Sequence, residues 1–325
     1  MKISVASDPF SGLEKLEYLF SVASEVGFDG IDLSLGYLNW DNIKVRDWSP
    51  FICDYDRSIE FAEKVNELCE KYNLEILQTH APAPTWFEGY TDDVNQRLSN
   101  AISNAIHITK VLGCKYCVVH PYFYVFTSER NQTSPEKEHD LNIELYTSLL
   151  PALKETGVIC CLENMWIPER RYRGRGNIYS AICENPYQVN SLVSELNEIA
   201  GEELYGFCLD TGHSLLSGYD PCKVVPLIAD KIKIFHLHDN DGVDDLHTFP
   251  YTGITDWNRL CKSIKEMGYS GHLNFETGGC QGKFTPSSGK RDRAMDHASF
   301  RAIFDAGKIF VEKITGEPYS KEEQV

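Results

Sequence analysis

The chain lacks any long apolar segment. No apolar run approaches the roughly 20 residues that a helix needs to cross a bilayer, and residues Met1 to Asp8 lack the apolar segment of a signal peptide. We therefore predict a protein without a membrane span or secretion signal, located in the cytoplasm.

Positive charge is also scarce. Lysine and arginine together number 31, against 48 aspartates and glutamates, so the formal net charge is −17. Such a surface repels phosphate backbones, which disfavours nucleic acid as a partner. A small anionic substrate is still allowed, because a local group of lysines or arginines can override the overall field.

Cysteine is frequent, but its pattern is not that of a disulfide framework. There are eleven, an odd number, and Cys160, Cys161 and Cys208 stand inside apolar runs where a free thiol packs as a small hydrophobe. Cys114 and Cys117 form a single C-x-x-C pair with no second pair to complete a zinc ribbon, so we assign them a structural role.

The pattern that is present alternates short β-branched runs with amphipathic helical stretches. We predict eight strands, over 2–6, 30–34, 74–80, 115–120, 158–163, 205–210, 232–237 and 272–276. Eight such units predict a (β/α)8 TIM barrel, an α/β fold closed by parallel strands. We expect one domain over 1–325, a last helix from about Arg293 to Ile314, and a frayed tail over 315–325.

The connections between these elements are unequal in length. Those that enter strands are short, whereas those that leave strands are long, at about 35–56, 121–134, 164–186, 239–255 and 277–292. Long loops after strands decorate the carboxyl-terminal face of a barrel, where barrel enzymes place their active sites.

Six of the predicted strands have, at their last residue or next to it, a side chain that can bind a metal. These residues are His80, His120, Glu163, Asp210, His236 and Glu276. The carboxyl ends of parallel strands meet on one face, so we expect these side chains to converge. The carboxylates Glu163, Asp210 and Glu276 would repel each other there without a cation. Together with His236 they predict a site for Mn²⁺, Mg²⁺, Co²⁺ or Zn²⁺.

Further candidates follow the strand ends. His213 comes one helical turn after Asp210 and could contact substrate or a second metal, and Asp245 and His247 lie in a long polar loop. His236 and His238 share a strand face by period two, so spacing alone allows either to be the ligand. For Asp32 we predict a structural hydrogen-bonding role.

Other loop residues on this face could line a pocket or hold an anion. Trp40, Trp48, Trp86, Phe87, Tyr122 and Trp166 could wall a pocket around the apolar face of a sugar. The arginines 170, 171, 173 and 175, and a second basic group at 283, 290, 291 and 293, could bind a phosphate or carboxylate.

These motifs resemble the xylose isomerase-like barrel superfamily over nearly the whole chain. The most specific pieces are Leu162-Glu163-Asn164, Asp210-Thr211-Gly212-His213, His236-Leu237-His238-Asp239 and Phe275-Glu276. The family's H-x-x-D/E pattern matches His236 rather than His238 as the ligand in the seventh strand. The superfamily includes sugar isomerases and epimerases, inosose dehydratase and type IV apurinic-site endonucleases.

The resemblance implies roles for these residues. In epimerase-like members, the positions of Glu163, Asp210, His236 and Glu276 bind one divalent ion, often Mn²⁺. The two glutamates transfer a proton through an enediolate, and the position of His213 contacts the substrate. We therefore predict a metal-dependent isomerase or epimerase of a sugar, sugar phosphate or polyol, which as a family member could form a homo-oligomer.

Three alternatives remain open. The endonuclease pattern places up to three zinc ions on nine positions, and it adds His80, His120, His213, Asp245 and His247 to the four ligands. All nine residue types are present here, although the net charge of −17 fits DNA poorly. A dehydratase would use the same enolisation and then expel a β-hydroxyl. A sugar-binding barrel without catalysis is the non-enzymatic alternative.

Overall fold

The computed structural model describes residues 1–8, 10, 13–36, 52–83, 92–122, 135–166, 182–278 and 292–321. Its strands are Ile3–Ala6 (β1), Gly30–Ser34 (β2), Glu75–His80 (β3), Tyr116–Val119 (β4), Ile159–Glu163 (β5), Tyr205–Asp210 (β6), Ile232–His236 (β7) and Leu273–Phe275 (β8). Its helices are Leu13–Val26 (α1), Tyr55–Tyr72 (α2), Asp92–Val111 (α3), Pro135–Ser148 (α4), Leu150–Thr156 (α5), Pro186–Ala200 (α6), Thr211–Leu216 (α7), Pro221–Leu227 (α8), Trp257–Glu266 (α9) and Arg293–Thr315 (α10).

The eight strands form one sheet in the order β7-β6-β5-β4-β3-β2-β1-β8. The ends of this order are also neighbours, because the Leu237 N–H donates to the Asn274 carbonyl (2.9 Å) and the Glu276 N–H to the Leu237 carbonyl (3.1 Å). The predicted (β/α)8 barrel fold is therefore confirmed. Each predicted strand matches an observed one to within one residue at either end.

The chain divides into two compact units by contact density. The first comprises Met1–Ser34, Val65–Leu77 and Leu209–Val325. Within it, β1 pairs in parallel with β2 (Ser4 with Gly30) and with β8 (Ile3 with Leu273). The Trp257 ring stacks on Phe310 with ring centroids 5.0 Å apart. Gly307 lets α10 approach β1, because a β-carbon there would lie 2.8 Å from Ile3 Cγ2.

The second unit comprises Leu35–Lys64 and Gln78–Cys208. Within it, β5 pairs in parallel with β4 (Tyr116 with Ile159) and with β6 (Glu163 with Cys208). The fully buried Tyr146 of α4 donates to the Val119 carbonyl (2.9 Å) and accepts from the Tyr205 hydroxyl at its own carbonyl (2.6 Å). These bonds hold α4 against the ends of two strands.

The tail that we expected to fray is anchored as far as Lys321. α10 continues to Thr315, and Gly316 ends it with a positive φ of 86°. Beyond it, Tyr319 donates to Asp29 Oδ1 (2.8 Å) and Lys321 Nζ to the Phe28 carbonyl (2.9 Å). The single domain over 1–325 stays a prediction. In the described part of the chain, no helix has the length and apolar character to cross a membrane.

Candidate metal centre and active site

Three predicted metal ligands of the first unit, Asp210, His236 and Glu276, meet where β6, β7 and β8 end. His236 is fully buried, and its Nδ1 lies 3.1 Å from Glu276 Oε2 and 4.0 Å from Asp210 Oδ2. One imidazole nitrogen therefore faces two carboxylates. Imidazole and carboxylate together form a donor set that Mn²⁺, Zn²⁺ and similar divalent ions accept.

Asp32 occupies the other side of the His236 ring. Its Oδ2 lies 3.3 Å from His236 Nε2 and accepts a hydrogen bond of 2.8 Å from Asn274 Nδ2, while Ser4 donates to Asn274 Oδ1 (2.9 Å). A carboxylate facing one ring nitrogen fixes the ring so that the other nitrogen can bind a metal. These contacts support the structural role predicted for Asp32.

A second group of potential ligands lies in the same unit. His213, His238, Asp245 and His247 each offer one ligand atom, and these atoms lie within 4.8 Å of one another. Asp245 Oδ2 is 3.3 Å from His213 Nε2 and 3.1 Å from His247 Nε2. His247 Nδ1 donates to the Glu276 carbonyl (3.0 Å), which links this group to the first.

Negative charge around His247 makes this group attractive to cations. Burial opposes charging of the ring, but the Glu276 carboxylate and the hydrogen bond to Asp245 outweigh it and raise the pKa of His247 to about 10. Burial by itself raises the carboxyl pKa of Asp245. The neighbouring His213 and His247 outweigh this effect and hold that pKa well below the usual range. The raised pKa of His247 reflects the carboxylates of Glu276, Asp245 and Asp210 around its ring.

The loop that carries Asp245 and His247 begins at Asp239, and residues at its far end form hydrogen bonds with the Asp239 carboxylate. The fully buried Asp239 carboxylate accepts from the Gly253 N–H (3.0 Å), from the Thr255 N–H (3.1 Å) and hydroxyl (2.8 Å), and from Trp257 Nε1 (2.9 Å). Its backbone also forms an antiparallel bridge with Thr248. The two candidate ligands thus lie within a closed and hydrogen-bonded loop.

We expect Asp239→Ala to lower the free energy of unfolding by about 2–4 kcal/mol, because several buried donors lose their acceptor. Urea unfolding followed by circular dichroism measures this loss. The control is Asp256→Ala, which removes the exposed N-cap of α9 and its bond of 3.1 Å to the Arg259 N–H. Equal losses in the two variants would contradict a special role for Asp239.

The second unit contains a compact group of its own. His80 ends β3, His120 follows β4 and Glu163 ends β5. The two Nε2 atoms are 2.9 Å apart, and Glu163 Oε2 lies 3.3 Å from that of His80 and 3.0 Å from that of His120. His80 Nδ1 donates to the Ala81 carbonyl (2.9 Å), which turns Nε2 towards the carboxylate. Glu163 is 1% exposed, so its carboxylate is shielded from water.

The structure separates the two histidines that sequence spacing left equivalent. His236 faces Glu276 and Asp32, whereas His238 lies beyond the end of β7 with Nε2 2.9 Å from Asp210 Oδ1. The sequence predicts His238 only as an alternative to His236 for the ligand in the seventh strand. Its contact with Asp210 is not predicted, and the family pattern favours His236.

Several predicted pocket residues lie outside the described residues. These are Trp40, Trp48, Trp86, Phe87, the arginines 170, 171, 173 and 175, and the basic residues 283, 290 and 291. Of the aromatic residues within the described part, Tyr122 is buried, and Asn142 binds both its backbone N–H and its carbonyl (2.8 Å each).

The chain belongs to the xylose isomerase-like TIM barrel family, whose model matches residues 20–298. Among curated proteins it is similar to an uncharacterised protein of Sinorhizobium fredii, with 26% identity over 176 residues. That match covers 54% of this chain and 51% of the relative, so the chain spans about half of that protein's length. It is also similar to inosose dehydratase of Clostridium perfringens, with 21% identity over 240 residues, 68% of this chain and 74% of the relative.

Solved structures share the fold at low sequence identity. A D-tagatose 3-epimerase-like protein aligns with a TM-score of 0.69 and 20% identity, covering 97% of this chain and 99% of that chain. The 3-keto-D-glucoside 4-epimerase YcjR from E. coli aligns with a TM-score of 0.64 and 17% identity, covering 95% and 99%. The IOLI protein with a bound zinc atom aligns with a TM-score of 0.65 and 18% identity, covering 99% and 100%.

Proposed function

We propose that this protein is a divalent-metal-dependent isomerase or epimerase of a sugar, sugar phosphate or polyol. The observation that carries the proposal is His236, whose Nδ1 faces the carboxylates of Glu276 and Asp210 at the ends of three consecutive strands. The similar proteins support the substrate class, because their names include a tagatose epimerase-like protein, a keto-glucoside epimerase and inosose dehydratase.

The proposed ligands of the ion are Glu163, Asp210, His236 and Glu276. Each stands at the carboxyl end of a strand or directly after it, and β5, which ends at Glu163, is the neighbour of β6, which ends at Asp210. Three carboxylates and one imidazole suit Mn²⁺, our first choice, and also Zn²⁺, Mg²⁺ or Co²⁺. Zinc is the ion in the similar IOLI structure.

When bound, the cation would polarise the carbonyl and hydroxyl oxygens of the substrate. The proposed proton carriers are Glu163 and Glu276. One takes the proton from the carbon beside the carbonyl, which leaves an enediolate, and the other returns a proton to complete the reaction. The burial of Glu163 keeps water from competing for that proton.

The remaining candidates are proposed as substrate contacts or as ligands of further ions. His80 and His120 share Glu163 Oε2, and His213, Asp245 and His247 form a group of their own together with His238. The presence of two such groups favours one second function, a multinuclear zinc hydrolase of the endonuclease type. The net charge of −17 disfavours a nucleic acid substrate. A dehydratase that shares the enolisation step is also consistent with the inosose dehydratase relatives.

Proton exchange with solvent tests the proposed function. Metal-loaded protein is incubated in deuterated water with a panel of ketoses, sugar phosphates and inososes, and mass spectrometry follows deuterium at the carbon beside the carbonyl. We expect exchange together with the appearance of an isomer, or of a dehydrated product for the dehydratase. No exchange with any member of the panel would contradict an enolising enzyme. Elemental analysis separates the two functions: one ion per chain would support the isomerase, and two or three would support the hydrolase.

The cytoplasmic location and the homo-oligomer stay predictions.

A further inference from the structure

His238 contacts each of three consecutive residues, Asp210, Thr211 and Gly212. Its side chain is fully buried, and Nε2 lies 2.9 Å from Asp210 Oδ1 and 3.0 Å from Asp210 Oδ2. The Thr211 hydroxyl accepts from the His238 N–H (3.2 Å) and donates to the His238 carbonyl (2.9 Å). Both backbone polar groups of His238 are thus satisfied by one side chain.

Gly212 supplies the space that the His238 ring occupies. A β-carbon at position 212 would lie 2.6 Å from each ring nitrogen, a separation that real β-carbons do not show. The Gly212 carbonyl also accepts from Asn240 Nδ2 (2.9 Å), so the backbone cannot easily retreat from the ring. Glycine is therefore needed here for close approach.

The hydrogen bond to Asp210 defines the tautomer of His238. A carboxylate only accepts hydrogen bonds, so Nε2 must carry the proton. Asp210 Oδ1 also accepts from the backbone N–H of His213 (2.6 Å), and two donors from different directions fix the rotation of this carboxylate. His238 Nδ1 is buried and has no hydrogen-bond partner among the described residues.

The face of the His238 ring packs against a second candidate residue, His247. The His247 ring stacks on His238 with centroids 4.0 Å apart and planes 11° apart. His238 thus contacts Asp210 through its edge and His247 through its face. A shift of this one ring would disturb residues of both ligand groups in the first unit.

We infer that His238 is a positioning residue, which orients the Asp210 carboxylate for metal binding without binding the ion itself, and that Gly212 makes this possible. The inference rests on the proposed function in so far as Asp210 is a metal ligand. Partners that orient metal ligands typically contribute about 10–100-fold to metal affinity.

The first test compares metal affinity and stoichiometry, with Zn²⁺ and Mn²⁺ as separate probes in competition with a chromophoric chelator. His238→Phe keeps an aromatic ring but removes the donor, and Gly212→Ala displaces the ring. We expect each to weaken metal binding by about 10–100-fold with an unchanged number of ions at saturation. His238→Gln places an N–H donor near the position of Nε2 and should recover most of the affinity. His107→Phe, on α3 beside Tyr55, is the control and should bind like the parent protein.

Two outcomes of this test would overturn the inference. An unchanged affinity in His238→Phe would show that Asp210 needs no orienting partner. A loss of one bound ion per chain in both His238→Phe and His238→Gln would make His238 a ligand.

The second test is independent of metal and of substrate. Long-range ¹⁵N–¹H spectra of histidine-labelled, metal-free protein report the tautomer of each ring, and the His238→Gln spectrum identifies the His238 signals by their loss. We expect the proton on Nε2 of His238, and a proton on Nδ1 instead would overturn the inference. If the parent protein binds no metal, the proposed function fails, while this tautomer still decides whether His238 donates to Asp210.

Discussion

We expect Glu163→Gln to lower turnover by about 10²–10⁴-fold, because a glutamine can neither take nor return a proton and general acid–base groups contribute about this much. The amide has nearly the shape of the carboxylate, so the packing of this 1%-exposed side chain should be preserved. Steady-state isomerisation of the best substrate from the exchange panel measures the loss. Glu155→Gln, on α5 with a side chain 71% exposed, is the control and should retain full activity.

Glu163→Gln and Glu276→Gln should differ in which isomer they can still exchange with solvent. If two glutamates serve the two faces of the substrate carbon, a variant that lacks one of them can still exchange the proton of one isomer through the other. We expect Glu163→Gln and Glu276→Gln each to catalyse deuterium exchange with a single isomer, and with opposite isomers. Metal content, measured in both variants, separates the loss of a proton carrier from the loss of a ligand. A fully active variant would rule out this acid–base pair.

The second large effect should come from removing the metal. We expect a chelator to abolish turnover and to lower the melting temperature, and Mn²⁺ or Zn²⁺ to restore both. An ion present at about 100 times its Kd adds about 2.7 kcal/mol to the stability of the folded state. The physical reason is the convergence of carboxylates on His236 Nδ1, where a cation relieves their repulsion.

The control for metal removal is a variant without the proposed ligands. In Asp210→Asn/His236→Asn, added Mn²⁺ should no longer raise the melting temperature, and chelation should no longer lower it. Differential scanning fluorimetry measures both shifts. If the chelated parent protein kept its activity and its melting temperature, the metal-dependent mechanism would be wrong.

Much of the fold was predictable because it is encoded locally. Short apolar runs mark all eight strands, several of them with β-branched residues, and the helical spacing near the C-terminus predicts α10 to within one residue of its end. The tail was not predictable in this way. Its polar composition suggests fraying, but Tyr319 and Lys321 find partners in Asp29 and Phe28, nearly 300 residues earlier in the chain.

The candidate site was predictable in part. Convergence of Asp210, His236 and Glu276 follows from strand ends that meet on one face, and the structure brings these residues together within the first unit. The same reasoning predicted His80 and His120 at strand ends on this face but did not predict that they contact Glu163 in the second unit. Reasoning from strand ends could not predict that Asp239 holds the following loop, because the groups that donate to its carboxylate lie 14 to 18 residues further along the chain.

The sequence by itself determined which residues end the strands, since strand periodicity and the change from apolar to polar are local properties. Only the tertiary structure decided which residues the rings of His236 and His238 contact. Period two places both on one side of a strand, but β7 ends at His236. Thr211 and Gly212 then form hydrogen bonds with His236, His238 and Asn240 across 25 to 28 residues of chain. Hydrogen bonds between distant segments set the direction of each ring, and such bonds exist only once the strands have packed.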